Sequence, residues 1–345
     1  MKPNCRKIAI TSLILVYIVI LAGALVRMTG SGMGCPDWPK CFGYYIPPTD
    51  VAELTWSQNH EFEKGQVIIK DEKLLIAKTT FTTSETFDNS NWEPYTKHDY
   101  AVFNPLHTWI EYINRLAGAL AGVAVLVMAV ASLSYWKIRK RITLLSWFSV
   151  FLMGFQGWLG ATVVYSVLNP VKITIHMLVA LLIVAVLLYI INAAKKGAVD
   201  YLQDKMLKNL LILSLVLTII QVALGTQVRQ FVDDQVRNFG YNNMHSILDN
   251  PEASFYIHRT FSFLVFGVNL WIFIRNRKLN LGYTKTGWVM LLLVLEIASG
   301  VAMYYFDFVF GSQSLHLVVA SLLFGIQFYL ILESRRKSLP AIVNN

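Results

Sequence analysis

Seven histidines occur in the chain, and their surroundings divide them into two groups. His60, His98 and His245 stand in polar stretches, where a solvated loop residue is the ordinary outcome. His107, His176, His258 and His316 stand in or at the edge of long apolar runs. A polar side chain in such a run is costly in lipid and is retained when it faces a partner inside a helix bundle. His258 and His316 occupy matching depths on two different runs. Two imidazoles facing each other across a bundle core can ligate haem iron from both sides. A hydrogen-bonded pair of helix-end histidines is the plainer alternative. Zinc fits less well, because no third or fourth Cys, Asp or Glu stands beside them at metal-ligand spacing.

The same pattern occurs earlier in the chain, altered. Gln156-Gly-Trp-Leu-Gly160 lies over Glu296-Ile-Ala-Ser-Gly300, and His176 over His316, both 140 residues apart. Glu111-Tyr-Ile-Asn-Arg115 lies over Phe255-Tyr-Ile-His-Arg259 at an offset of 144, and Gly-Ala-Leu-Val-Arg27 over Gly-Thr-Gln-Val-Arg229 at 202. The step from 202 to 144 marks an insertion after the first apolar run. His176 therefore matches His316, but Asn114 stands where the later half has His258. His107, Glu111 and Asn114 follow i, i+4, i+7 spacing and share one helix face. One half could hold a saturated haem, and the other a haem with an open iron position and a carboxylate nearby. That is the asymmetry of an electron-carrying site joined to a reaction site.

Four arginines, Arg27, Arg115, Arg229 and Arg259, form repeat-related pairs at the ends of the runs. Their forks suit carboxylates such as haem propionates; snorkelling to lipid headgroups or a structural ion pair is the alternative. Glu296 is an acid near the middle of its run, and its counterpart is the neutral Gln156. A hydrogen bond between helices and a place on a proton path are both open to it.

These residues need helices to position them. The composition is 55% hydrophobic and 15% charged, with mean hydropathy +0.49, too apolar for a water-facing exterior. Apolar runs long enough to cross a hydrocarbon core fall at about 8–27, 112–135, 142–165, 171–192, 207–228, 255–274, 285–306 and 313–333. Basic clusters sit in both tails (Lys2, Arg6 and Lys7; Arg335, Arg336 and Lys337) and in alternate loops, at 137–141, 195–208 and 275–285. That alternation predicts cytoplasmic termini and external segments 28–106 and 229–254. The net charge of +9 thus reports topology and gives no support to nucleic-acid binding. The expected fold is an all-α integral membrane protein: eight transmembrane helices forming two parallel-repeat four-helix bundles, residues 1–195 and 196–345.

Residues 8–26 are too long an apolar stretch for a cleaved signal peptide, and no Ala-x-Ala site follows. No Arg- and Ser-rich transit peptide is present, which points to a bacterial cytoplasmic membrane. Cys5 reads as a free thiol. Cys35 and Cys41 fall in the first external segment, where an oxidising compartment permits a disulfide. That segment is rich in Thr, Asp, Glu and Asn, and its aromatics predict partial order.

The stretch Arg27-Met-Thr-Gly-Ser-Gly-Met-Gly-Cys35-Pro-Asp-Trp-Pro-Lys-Cys41, with Glu111-x-x-Asn114-Arg115, His176, His258-Arg259 and His316, resembles the haem A synthase family. The resemblance covers essentially all of the helical part. It implies oxidation of the C8 methyl of haem O to a formyl group, through successive hydroxylations and loss of water. It implies haem b at His258 and His316, substrate haem O at His176, an essential carboxylate at Glu111, and a Cys35–Cys41 pair. The sequence departs from the family at Asn114, where a second histidine is usual; His107, two turns away, is about 10 Å along the axis. Implied partners are haem O synthase, cytochrome oxidase assembly factors, an unidentified electron donor and the lipid bilayer. A di-haem b-type electron-transfer subunit and a haem carrier are the rival readings. A prenyltransferase would need an Asp-rich diphosphate motif on a cytoplasmic loop, and none occurs.

Overall fold

The structure, a computed structural model, describes residues 3–195, 201–240 and 247–336. His245, and Lys2, Lys196 and Lys337 of the basic clusters, lie outside the described residues. Eight helices follow in order: α1 (Pro3–Met28), α2 (Pro105–Ser132), α3 (Lys140–Tyr165), α4 (Pro170–Ala193), α5 (Lys205–Phe239), α6 (Ala253–Lys278), α7 (Lys285–Tyr305) and α8 (Ser312–Ser334). All eight are long and apolar enough to cross a membrane. In lipid every backbone N–H and C=O must be satisfied within the segment, and a helix does this.

Helix starts are marked locally. Asn104 accepts from the N–H groups of Leu106 and His107 at 3.0 and 3.2 Å, with Pro105 in the first turn of α2. Asn169 and Pro170 open α4 in the same way. Such caps contribute about 1 kcal/mol each. The Asn104 cap is why α2 begins seven residues before the apolar run that hydropathy alone delimits. α5 departs further from expectation. It continues helically to Phe239, so residues 229–239 are not a loop. Asp233 in this extension meets two arginines, which compensates for its polarity.

Neighbours in sequence pack together from α1 to α4, and α4 returns to α1. The same closed circuit joins α5, α6, α7 and α8. The circuits meet where α8 touches α1 and α4, and where α4 touches α5. α8 is the innermost helix, with half of its apolar window buried. One apolar core gathers Val125, Met128, Ile183 and Leu187; another gathers Leu211, Val265, Leu293 and Leu323.

The segment between α1 and α2 is ordered. It carries a two-stranded sheet of β1 (Glu61–Phe62) with β4 (Phe81–Thr82), and a three-stranded antiparallel sheet. In the latter, β3 (Lys73–Ala77) lies between β2 (Val67–Lys70) and β5 (Trp92–Pro94). Phe62, Ile68 and Trp92 fill one small core, and Phe42, Leu54, Val67 and Leu74 another beside Cys35 and Cys41. The aromatics that suggested order in the sequence are these core residues. The eight membrane-length helices are as expected; the sheets are additional to them.

Candidate functional site

Four positions share a construction: each packs against a glycine on the preceding helix. A methyl group at Gly160 of α3 would stand 3.7 Å from Cε1 of His176, and one at Gly300 of α7 3.8 Å from Cε1 of His316. At Gly225 of α5 the distance to Cε1 of His258 is 3.1 Å, and at Gly23 of α1 the distance to Oδ1 of Asn114 is 3.8 Å. A larger side chain at Gly225 would displace the imidazole, since at 3.1 Å its Cβ would be too close. Backbone ties add rigidity. Gln156 Nε2 donates to the carbonyl of His176 at 2.8 Å, and Gln221 Nε2 to that of His258 at 3.0 Å.

The later pair of histidines comes together. The rings of His258 and His316 lie 6.4 Å apart between centroids, at 65° to each other. His316 Nδ1 is 2.8 Å from Ser299 Oγ and 3.0 Å from Glu296 Oε2, so the ring is oriented with its other nitrogen left for a ligand role. His258 Nδ1 is buried without a hydrogen-bond partner. The spacing suits a metal between the rings. Two imidazole–metal bonds of about 2 Å, plus about 1 Å from each nitrogen to its ring centre, sum to roughly 6 Å. These two residues could hold a haem iron between them.

The earlier pair is different. His176 Nδ1 and Asn114 Oδ1 are both buried and unpartnered. Glu111 does not face them freely, because its carboxylate is taken up by the loop that Cys35 and Cys41 close. The Cys35 N–H donates to Glu111 Oε2 at 2.9 Å, and Arg115 Nη2 lies 2.5 Å from Oε1. Glu111 is 4% exposed, so its ion pair with Arg115 is a buried one rather than a weak surface pair. Removing one partner of a buried pair costs about 3–5 kcal/mol. The disulfide itself is formed, with Cα atoms 4.8 Å apart. Gly34 lets this loop lie on α2; a Cβ there would come within 2.5 Å of the His107 carbonyl. Thr108 Oγ1 donates to the Gly34 carbonyl at 2.7 Å. Asp37 closes the loop from within, accepting from the N–H groups of Phe42 and Gly43 at 2.6 and 2.8 Å. Burial pushes the Asp37 carboxyl up from its usual value, against the pull of those two N–H groups and of Arg115.

The four arginines separate. Arg115 also donates from Nη1 to the carbonyls of Asp37 and Lys40, each at 2.8 Å. Arg27 and Arg229 share one carboxylate, at 3.0 Å to Asp233 Oδ2 and 2.6 Å to Asp233 Oδ1. Arg259 lies over the rings of Phe255 and Tyr256 and remains exposed. The plain ion-pair alternative thus describes Arg27, Arg115 and Arg229. His107 sits in the first turn of α2, half-buried and away from any described hydrogen bond of its ring. Cys5 is a free, buried thiol, as its position predicted. Sequence reasoning missed Ser299, whose signal was its three-residue distance from Glu296. It also missed Asp233, whose signal was its i+4 distance from Arg229, hidden by reading residues 229–254 as a loop.

The chain is similar to several proteins of one name. A Heme A synthase of Staphylococcus aureus (strain bovine RF122 / ET3-1) is 22% identical over 96% of this chain and 95% of its own length. One from Ehrlichia canis is 23% identical over 92% and 89%. One from Shewanella oneidensis is 28% identical over 62% of this chain, and the match spans 53% of that protein. The family model described as cytochrome oxidase assembly protein, COX15-CtaA, matches residues 6–328, so the chain belongs to that family.

Proposed function

We propose that this protein is a membrane oxidoreductase that converts haem O to haem A by oxidising the C8 methyl group to a formyl group. The observation that carries the reading is the inequality of the two histidine positions. One has two facing imidazoles 6.4 Å apart, and the other has His176 opposite an asparagine. The names of the relatives, Heme A synthase, agree with it.

In this reading the eight spans are two parallel repeats, residues 1–195 and 196–345, in a bacterial cytoplasmic membrane. Both termini are cytoplasmic and residues 28–106 external. His258 and His316 hold haem b, which supplies one-electron transfer when bound. Ser299 and Glu296 keep His316 oriented for that role. His176 receives substrate haem O, entering from the bilayer, and Asn114 leaves the second side without an imidazole. Gly160 and Gly23 provide the room beside them. Glu111 holds the disulfide loop over this half through the Cys35 N–H and Arg115, and stands ready to hold or pass a proton there. Arg259 is the best placed of the four arginines to meet a propionate, because the other three already have protein partners. The electron donor, haem O synthase and oxidase assembly factors are the partners such a reaction calls for.

The test is to express the protein with a source of haem O and to separate the extracted haems by chromatography. Haem A is the expected product. Haem O unchanged, with a reducible low-spin haem still present, would favour the electron-transfer subunit; haem bound and released without redox change would favour a carrier.

A further inference from the structure

Trp38 belongs to the disulfide-closed loop, yet its indole reaches α3. Its Cζ2 and Cη2 atoms lie 3.7 and 4.0 Å from where a Cβ would stand on Gly157. Gly157 and Gly160 are three residues apart, on one side of α3 and separated by about 4.5 Å along its axis. Gly160 is the glycine against which His176 packs, at 3.7 Å. The indole and the imidazole therefore pack on glycines one turn apart on the same face of α3.

Trp38 is 39% exposed although the backbone carbonyls around it are held by hydrogen bonds. The Pro36 carbonyl accepts from Tyr95 Oη at 2.7 Å and lies 2.9 Å from His98 Nε2. Arg115 donates to the Asp37 carbonyl, and Tyr165 Oη to that of Trp38 at 2.9 Å. A fixed aromatic with an open face loses little freedom on meeting a ligand. In the other half Ile297 stands where Gly157 stands, so a branched side chain replaces the glycine on which the indole lies.

We propose that Trp38 is a positioning and specificity-determining wall of the substrate site, its indole bearing on the flat macrocycle seated at His176. The proposal rests on the haem O reading above. Aromatic faces pack well against flat π-systems, and a wall in one half only would let the two sites treat their haems differently.

The experiment uses the full chain in detergent with three variants, Trp38→Ala, Trp38→Phe and Gly157→Ile, the last importing the residue of the other half. Haem O is titrated into each protein, and haem A formation is measured separately. Trp38→Ala and Gly157→Ile are expected to weaken haem O binding and raise KM about tenfold, with kcat changed less. Trp38→Phe should recover most of the loss. The low-spin haem spectrum and the Cys35–Cys41 disulfide, checked by alkylation, should match wild type. Wild-type affinity and KM in both Trp38→Ala and Gly157→Ile would overturn the proposal. So would loss of the disulfide together with both haem signals, which would make Trp38 a structural plug. Wild-type protein that binds haem O but makes no haem A would sink the oxidation reading alone, and the titration would still decide the role of Trp38.

Discussion

The two histidine levels begin from one plan and diverge in what surrounds the ring. Both place a glycine on the preceding helix under the side chain, and both use an amide on that helix or its counterpart to tie a histidine backbone. In the later half, His316 meets Glu296 and Ser299, and a second imidazole faces it at 6.4 Å. In the earlier half, the acid becomes Gln156, Ser299 becomes Leu159, and the facing imidazole becomes Asn114. The polar investment moves to the edge of the bundle instead, where Glu111 and Arg115 clamp a disulfide loop over it. A site that must only hold a group benefits from two ligands and an oriented ring. A site that must admit and release one benefits from an open side and a fixed rim.

The comparison can be broken most severely at the paired imidazoles. Replacing His258 or His316 by alanine should abolish the low-spin haem spectrum of the purified protein, since one axial partner would remain. An unchanged spectrum in both variants would place the ligands elsewhere. Next in size is Glu111→Gln, which keeps an acceptor for the Cys35 N–H but removes the charge beside Arg115. Haem A formation should fall by about 100-fold or more, with haem O accumulating and the His258/His316 spectrum retained. Haem A at the wild-type rate would make Glu111 a clamp only.

Asn114→His would give both halves a facing imidazole, because Gly23 stands beside Asn114 as Gly225 stands beside His258. A second low-spin signal and reduced turnover are expected; an unaltered spectrum would show that the halves differ by more than this residue. The smallest change is Glu296→Gln, which copies the earlier half into the later one. Haem affinity at His258 and His316 should drop about tenfold by competition with a haem-binding apoprotein. No drop would mean that Ser299 alone orients His316.

Much of this was legible without coordinates. The eight spans follow from apolar runs of membrane length, and the candidate ligands from histidines that lipid would otherwise exclude. The offsets of 140, 144 and 202 residues already set His176 against His316 and Asn114 against His258. The disulfide between Cys35 and Cys41, permitted by an oxidising compartment and implied by the family resemblance, is present. These features are local or periodic, and one-dimensional spacing carries them.

Other features depended on segments far apart in sequence. Asp233 meets Arg27 only because α5 runs past its apolar stretch and reaches the end of α1, across 206 residues. Glu111 and Arg115 look like an i, i+4 pair in the sequence, but the loop at residues 35–41 decides that their charges are buried and shared. The sheets between α1 and α2 rest on pairings such as Ala77 with Trp92, for which a polar segment with scattered aromatics gives no clear period. Nor could spacing bring Trp38 to Gly157, 119 positions away. Which polar groups satisfy one another is settled by desolvation in three dimensions. A carboxylate or guanidinium taken from solvent must find whatever partner the packing brings to it.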